Sequence, residues 1–230
     1  MAKKRVSRSR KRDLTEPDEF ISFWTKLFGL ISEYKLIFSS ALGVMVVIII
    51  VIMGMIYFIK KSEDKAFALL QQGITNYQTK LKNSTPEKAI LDVENDLQLI
   101  MEKYSNRNGS KLASFIYANM CYTANNYDKA IELYKKSLIN FNDEIFIKNL
   151  ILNGLAYSYK AKKDFKTAAR YFEAIASAPD YTIKDEALFN LGELYAAMGD
   201  HDKSITAFKK ILSDHSGSMY IEIVKERVTG

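Results

Sequence analysis

With one cysteine in 230 residues the chain can form no intrachain disulfide, and its two histidines leave little material for a metal centre. The net charge of +6 is no nucleic-acid footprint, because residues 1–12 hold seven Lys and Arg with no acid and leave −1 for the remainder. Three prolines and ten glycines, in a chain 48% hydrophobic and 26% charged, point to helices.

The opening run, MAKKRVSRSRKR, resembles a nuclear localisation signal. The apolar segment downstream makes it instead a solvated tail beside a membrane, holding anionic lipid or only setting topology. From Asp18 to Lys35 the pattern is that of an amphipathic helix. Phe20, Trp24, Leu27 and Ile31 share one stripe flanked by Phe23 and Phe28, opposite Ser22, Thr25, Lys26, Gly29 and Glu33. Such a helix lies in the headgroup layer or docks on a partner's membrane helix.

Leu36 to Ile59 is a run of 24 residues without a charge. As a helix it extends roughly 36 Å, enough to cross a hydrocarbon core of about 30 Å. Nine Lys and Arg precede it, while Lys60, Lys61 and Lys65 follow among Glu63 and Asp64. That bias predicts a cytoplasmic N-terminus and an extracytoplasmic C-terminal part. Residues Tyr57 to Lys61 offer no small-x-small cleavage site, so the anchor is expected to stay. Ser39 and Gly43 are a weak hint of self-association.

Residues 60–230 are long enough for one domain with its own core. Glu63 to Leu81 and Pro86 to Tyr104 read as a degenerate hairpin (63–104), with Leu91, Leu97, Ile100 and Met101 as an apolar face. Three segments then superimpose, 111–144, 149–182 and 185–218, offset by 38 and 36 residues. The first helix of each carries an inner face, Leu188, Leu191, Gly192 and Tyr195 in the last copy. Leu152, Leu155, Ala156 and Tyr159 match it in the middle copy, and Ser114, Tyr117, Ala118 and Cys121 in the first. The second helices align Ser204, Phe208 and Ile211 with Ala168, Phe172 and Ile175 and with Ala130, Tyr134 and Ser137. The small residue in each copy belongs where two helices cross closely, and the aromatic fills the next interface. This arrangement resembles the tetratricopeptide repeat, whose period is near 34. A helix over 219–228 is expected to close the stack. The fold expected is all-α: a single N-terminal transmembrane helix (36–59) after a basic tail with amphipathic helix (1–35), then a tetratricopeptide repeat α-solenoid (60–230).

Chemistry-bearing motifs are few. His201 and His215 fall in predicted turns without a second ligand at metal spacing, and Cys121 occupies a small inner-face position. Asn83 and Asn108 open glycosylation-type triplets, a pattern short enough to arise by chance. No phosphate-cradling loop, zinc-protease motif or nucleophile elbow is present. Neither an enzyme nor a cofactor is expected.

The positive expectation is a face formed by the first helices of stacked hairpins. Leu112, Phe115, Asn119 and Tyr122, then Leu150, Asn153, Tyr157 and Lys160, then Glu186, Phe189 and Glu193 point there. Phe115, Asn119, Tyr122, Asn153, Tyr157, Lys160, Phe189 and Glu193 are the candidates for holding an extended peptide or a partner helix. The alternative is that their rings only pack neighbouring repeats together.

The order of parts also resembles the ancillary SecYEG translocon subunit family (YfgM-like) of bacterial inner membranes, although the basic N-terminus is longer than that plan. The resemblance implies an inner-membrane, single-pass interaction module beside the translocon, with a periplasmic C-terminal domain that passes emerging proteins to periplasmic chaperones. A scaffold for cell-envelope assembly is a second reading. A cytosol-facing chaperone or import receptor is a third, and of its clamp positions only Asn119 fits among Phe115, Asn119, Gly154, Glu186 and Asn190.

Overall fold

The computed structural model describes residues 19–179 and 182–229, so the basic run 1–12 lies outside the described residues. All regular structure among the described residues is helical. The chain divides into two compact units, residues 1–59 and 60–230.

In the first unit, α1 (Glu19–Glu33) carries the amphipathic pattern. Phe23 and Phe28 are exposed and flank the ring of Trp24, with centroids 5.8 and 6.0 Å away. Leu27 and Ile31 are half-buried, and the side chain of Phe20 lies outside what is described. Tyr34 joins α1 to α2 (Lys35–Leu81). The most apolar window of α2 is long enough to cross a membrane and has none of its residues buried in the protein.

That helix corrects the expectation of a separate helix starting near Glu63. Lys60, Lys61 and Ser62 contain neither glycine nor proline, so the backbone ladder continues unbroken from the apolar run to Leu81. In the second unit α2 buries Ala66, Leu70, Gly73 and Tyr77, a helical stripe. The expected single helix over 86–104 is likewise broken into α3 (Pro86–Leu91) and α4 (Glu94–Lys103). The break at Asp92 and Val93 brings Ile90, Val93, Leu97 and Ile100 all into the core. It also turns Leu91, expected on the apolar face, outward to 66% exposure.

Three hairpins follow: α5 (Asn108–Thr123) with α6 (Tyr127–Asn140), α7 (Ile145–Ala161) with α8 (Phe165–Ala176), and α9 (Lys184–Ala197) with α10 (His201–Asp214). Helix α11 (Ile221–Thr229) packs on α10. Each hairpin turn uses one device at the repeat offset. Asn125, Lys163 and Gly199 adopt φ of 56°, 63° and 80°. The next residue, Asn126, Asp164 or Asp200, accepts a bond from the backbone N–H three residues on. Its own N–H donates to the carbonyl of Cys121, Tyr159 or Tyr195. The left-handed residue ends one helix and the cap begins the next.

Within the hairpins Ala118, Ala156 and Gly192 are buried, as are the aromatics Tyr134, Phe172 and Phe208, at most 2% exposed, and Gly192 faces Phe208. At Gly192 the requirement for a small residue is absolute: a Cβ would lie 2.2 Å from the Phe208 ring. The hydroxyl of Ser204 also donates to the Gly192 carbonyl at 2.8 Å. The stack meets α2 through a second glycine, Gly109, where a Cβ would lie 2.9 Å from both Ala66 and the Phe67 backbone. Its N–H donates to Glu63 at 2.9 Å.

Candidate functional site

The first helices α5, α7 and α9 lie in sequence along one face, and side chains stitch them together. Tyr134 reaches from α6, with Gly154 of α7 leaving room for its ring; a Cβ there would lie 2.4 Å from it. The Tyr134 hydroxyl donates to Asn119 Oδ1 at 2.6 Å, and its ring meets Phe115 at 6.2 Å. Burial pushes this phenol well above its ordinary range. Tyr122 packs on Tyr127, 5.7 Å between centroids.

The densest polar array joins α7 to α9. Tyr157 Oη donates to Glu186 Oε1 at 2.7 Å and accepts from Asn190 Nδ2 at 2.9 Å. Asn153 Nδ2 reaches the same carboxylate at 3.3 Å. Lys160 Nζ donates to Asn190 Oδ1 at 2.8 Å and lies 5.7 Å from the Tyr157 ring centre. That ring stands edge-on to Phe172 at 5.4 Å. Burial first, and then the Glu186 carboxylate, raise the Tyr157 pKa well above the usual phenol value, so the phenol stays a donor throughout the neutral range.

The same relation recurs one step along. Phe189 lies between Phe208, at 6.0 Å, and Tyr220, stacked at 4.4 Å and 12°. Ser218 Oγ donates to Asp185 Oδ2 at 2.6 Å, and Arg227 pairs with Glu193 at 3.4 Å. The segment leading into α11 therefore sits on α9 much as α9 sits on α7.

The sequence-predicted residues thus have distinct situations. Asn119 is exposed, Tyr157 and Lys160 belong to the α7–α9 array, and Phe189 is half-buried under Tyr220. Sequence reasoning put Glu186 and Asn190 on this face, Asn190 only as a clamp position that did not fit, but missed their central place, and missed Tyr220 and Arg227 altogether. The spacing of Glu186 and Asn190 by one helical turn is the only trace of that role. Chemically the array offers fixed amide, phenol and ammonium groups with no activated nucleophile. Cys121 is buried, which pushes its thiol up to about 12. His201 opens α10 and His215 follows its end. Among the described residues no three His, Cys, Asp or Glu side chains gather as metal ligands.

The tetratricopeptide repeat-like domain family matches residues 36–228. "Uncharacterized protein ycf37" of Pyropia yezoensis is 27% identical over 132 residues, 55% of this chain and 72% of that protein. A crystal structure of a tetratricopeptide repeat protein from Parabacteroides merdae ATCC 43184 superposes with a TM-score of 0.55 at 16% identity, which is a likeness of fold. The alignment covers 70% of this chain and 59% of that one.

Proposed function

The chain belongs to the tetratricopeptide repeat-like domain family, and we propose that it is a membrane-tethered scaffold whose α5–α7–α9 face receives a protein partner on the extracytoplasmic side. The fold class is one of interaction scaffolds, and the match indicates no catalytic family. The observation that carries the reading is the α7–α9 array: Tyr157, Lys160, Glu186 and Asn190 are held in one geometry before any partner arrives. Preorganised donors and acceptors bind without a further ordering cost. Phe115, Asn119, Tyr122 and Asn153 extend the receiving surface along α5 and α7, and Phe189 and Glu193 end it where Tyr220 and Arg227 begin.

The lysine and arginine excess before the apolar run supports a cytoplasmic N-terminus. An inner-membrane location, with service to the translocon and periplasmic chaperones, rests on the resemblance in plan. Photoreactive residues placed one at a time at Asn119 and Lys160, in native membranes, test the partner reading. Adducts with the same protein from both positions are expected, and Lys160→Glu should weaken capture while circular dichroism shows the repeats still folded, with a lower melting temperature because the bond to Asn190 is lost. Adducts from the opposite, α6–α8–α10 side alone would refute the assignment of the face.

A further inference from the structure

A second recess lies away from that face, between α8 and α10 with α9 as its floor. Leu188, Leu191 and Tyr195 line its bottom, and its volume is about 210 Å³. Its origin is visible in the repeats. At the preceding interface Tyr171 stacks on Tyr159, 5.7 Å between centroids and 17° from parallel, and Leu138 packs against the same core cluster as these two rings. Carried forward by 36 and 38 residues, Tyr171 becomes Ala207 and Leu138 becomes Ala176, while Tyr159 becomes Tyr195. The floor ring is kept and the two side chains that would cover it are truncated. Lys203 Nζ lies over the Tyr195 ring at 5.3 Å, as Lys135 lies over Tyr159 at 5.7 Å. Tyr195 is oriented by its hydroxyl bond to Glu173.

The rim is basic. Lys203 and Lys210 border the recess, and Lys166 and Arg170 border the cleft of about 380 Å³ that continues it past Met198. Two carboxylates stand among these four cations, and both are engaged, Glu173 by Tyr195 and Asp200 by Lys203. We infer that the recess is a docking site for an aromatic side chain of a protein partner, stacked on Tyr195 as Tyr171 stacks on Tyr159, with acidic neighbours of that side chain meeting Lys166, Arg170 and Lys210. Offset stacking and the cation over the ring favour an aromatic over an aliphatic occupant, and the rim favours an acidic flank.

The test uses the full chain in detergent micelles and a short synthetic peptide with one 4-fluorophenylalanine between aspartates, followed by fluorine NMR. A saturable shift is expected. A fluorinated leucine in place of the ring should weaken it at least about tenfold, and so should Lys166→Glu with Lys210→Glu. Ala207→Tyr, which restores the internal ring, should abolish the shift and leave the melting temperature equal or higher. Ala176→Leu fills the recess from its other wall and should weaken binding independently of whether the first variant folds. Ala168→Tyr, at a fully buried site with no recess, is the control and should lower the melting temperature sharply. The inference is overturned by the absence of a saturable shift up to millimolar peptide, or by unchanged affinity in a folded filling variant. It is equally overturned if Ala207→Tyr melts as low as the control.

Discussion

Replacing Gly192 by alanine adds one methyl group to the middle of α9, and two opposed effects follow. On an isolated helix the change is favourable by roughly 0.5–1 kcal/mol, since glycine loses more backbone freedom on folding. In this fold the new carbon would lie 2.2, 2.5 and 2.6 Å from three atoms of the Phe208 ring, where unstrained carbon contacts lie near 3.5–4.0 Å. The ring cannot swing away freely, because it is 2% exposed and backed by Phe189, itself stacked under Tyr220. Overpacking of this kind costs about 1–3 kcal/mol. The steric effect wins, and the net loss is about 1–2 kcal/mol, read as a lower urea midpoint of the full chain in micelles by helical circular dichroism. Gly73→Ala is the internal control: in α2 the added carbon would meet only the Leu97 side chain, Cδ2 at 3.4 Å and Cγ at 3.9 Å. That variant should gain roughly 0.5 kcal/mol or more, from propensity alone. If both variants raise the midpoint alike, α9 and α10 do not cross at Gly192, and the repeat register is wrong.

Lys163 holds a left-handed conformation that costs a non-glycine residue roughly 1–2 kcal/mol, so Lys163→Gly should stabilise the protein by about 0.5–1 kcal/mol after glycine's greater unfolded freedom is subtracted. A lower thermal midpoint would show that the lysine side chain matters more than its backbone. Stability should also depend on pH at both extremes. The carboxyl pKa values of Asp164 and Asp200 are lowered, by bonds from Thr167 and Lys203 respectively, so their contribution is present above the unfolded value near 4 and is lost as acid protonates them. Tyr117, Tyr134 and Tyr157 have raised pKa values, chiefly from burial, so their contribution is complete below about 10 and disappears as alkali ionises the unfolded chain first. Thermal midpoints flat between about pH 5 and 9 and falling on both sides are expected; a midpoint still rising above pH 10 would contradict the buried-phenol assignment.

Much of the fold was legible because repetition multiplies weak signals. Asn126, Asp164 and Asp200 are ordinary turn residues singly, but the shared offset of 38 and then 36 makes them one device. Gly192 could be placed at a crossing because Ala156 and Ala118 align with it. The breaks were less readable. Where α2 passes from the apolar run into the domain, the charged stretch from Lys60 to Lys65 marks the end of the apolar run but holds no glycine or proline to end the helix, and the turn at Asp92 and Val93 accompanies the burial of Val93. On the candidate face, residue identity could not say which side chains would bond one another. Tyr157, Asn153 and Lys160 lie about thirty residues from Glu186 and Asn190, and only the stacking of α9 on α7 brings them within reach. The second recess was hidden for a different reason, since it is made by the side chains that Ala176 and Ala207 lack.

Cys121 lends the first hairpin a built-in clock. It is the only thiol in the chain, 1% exposed, and its pKa near 12 leaves almost no thiolate at neutral pH. A maleimide or disulfide reagent therefore meets the sulfur at an appreciable rate only in moments when α5 and α6 part. The trapping rate measures how often they do so, one hairpin at a time and in an intact membrane, with no label or mutation introduced. A partner that braces the α5–α7–α9 face would slow that clock, and a partner seated elsewhere would leave it running.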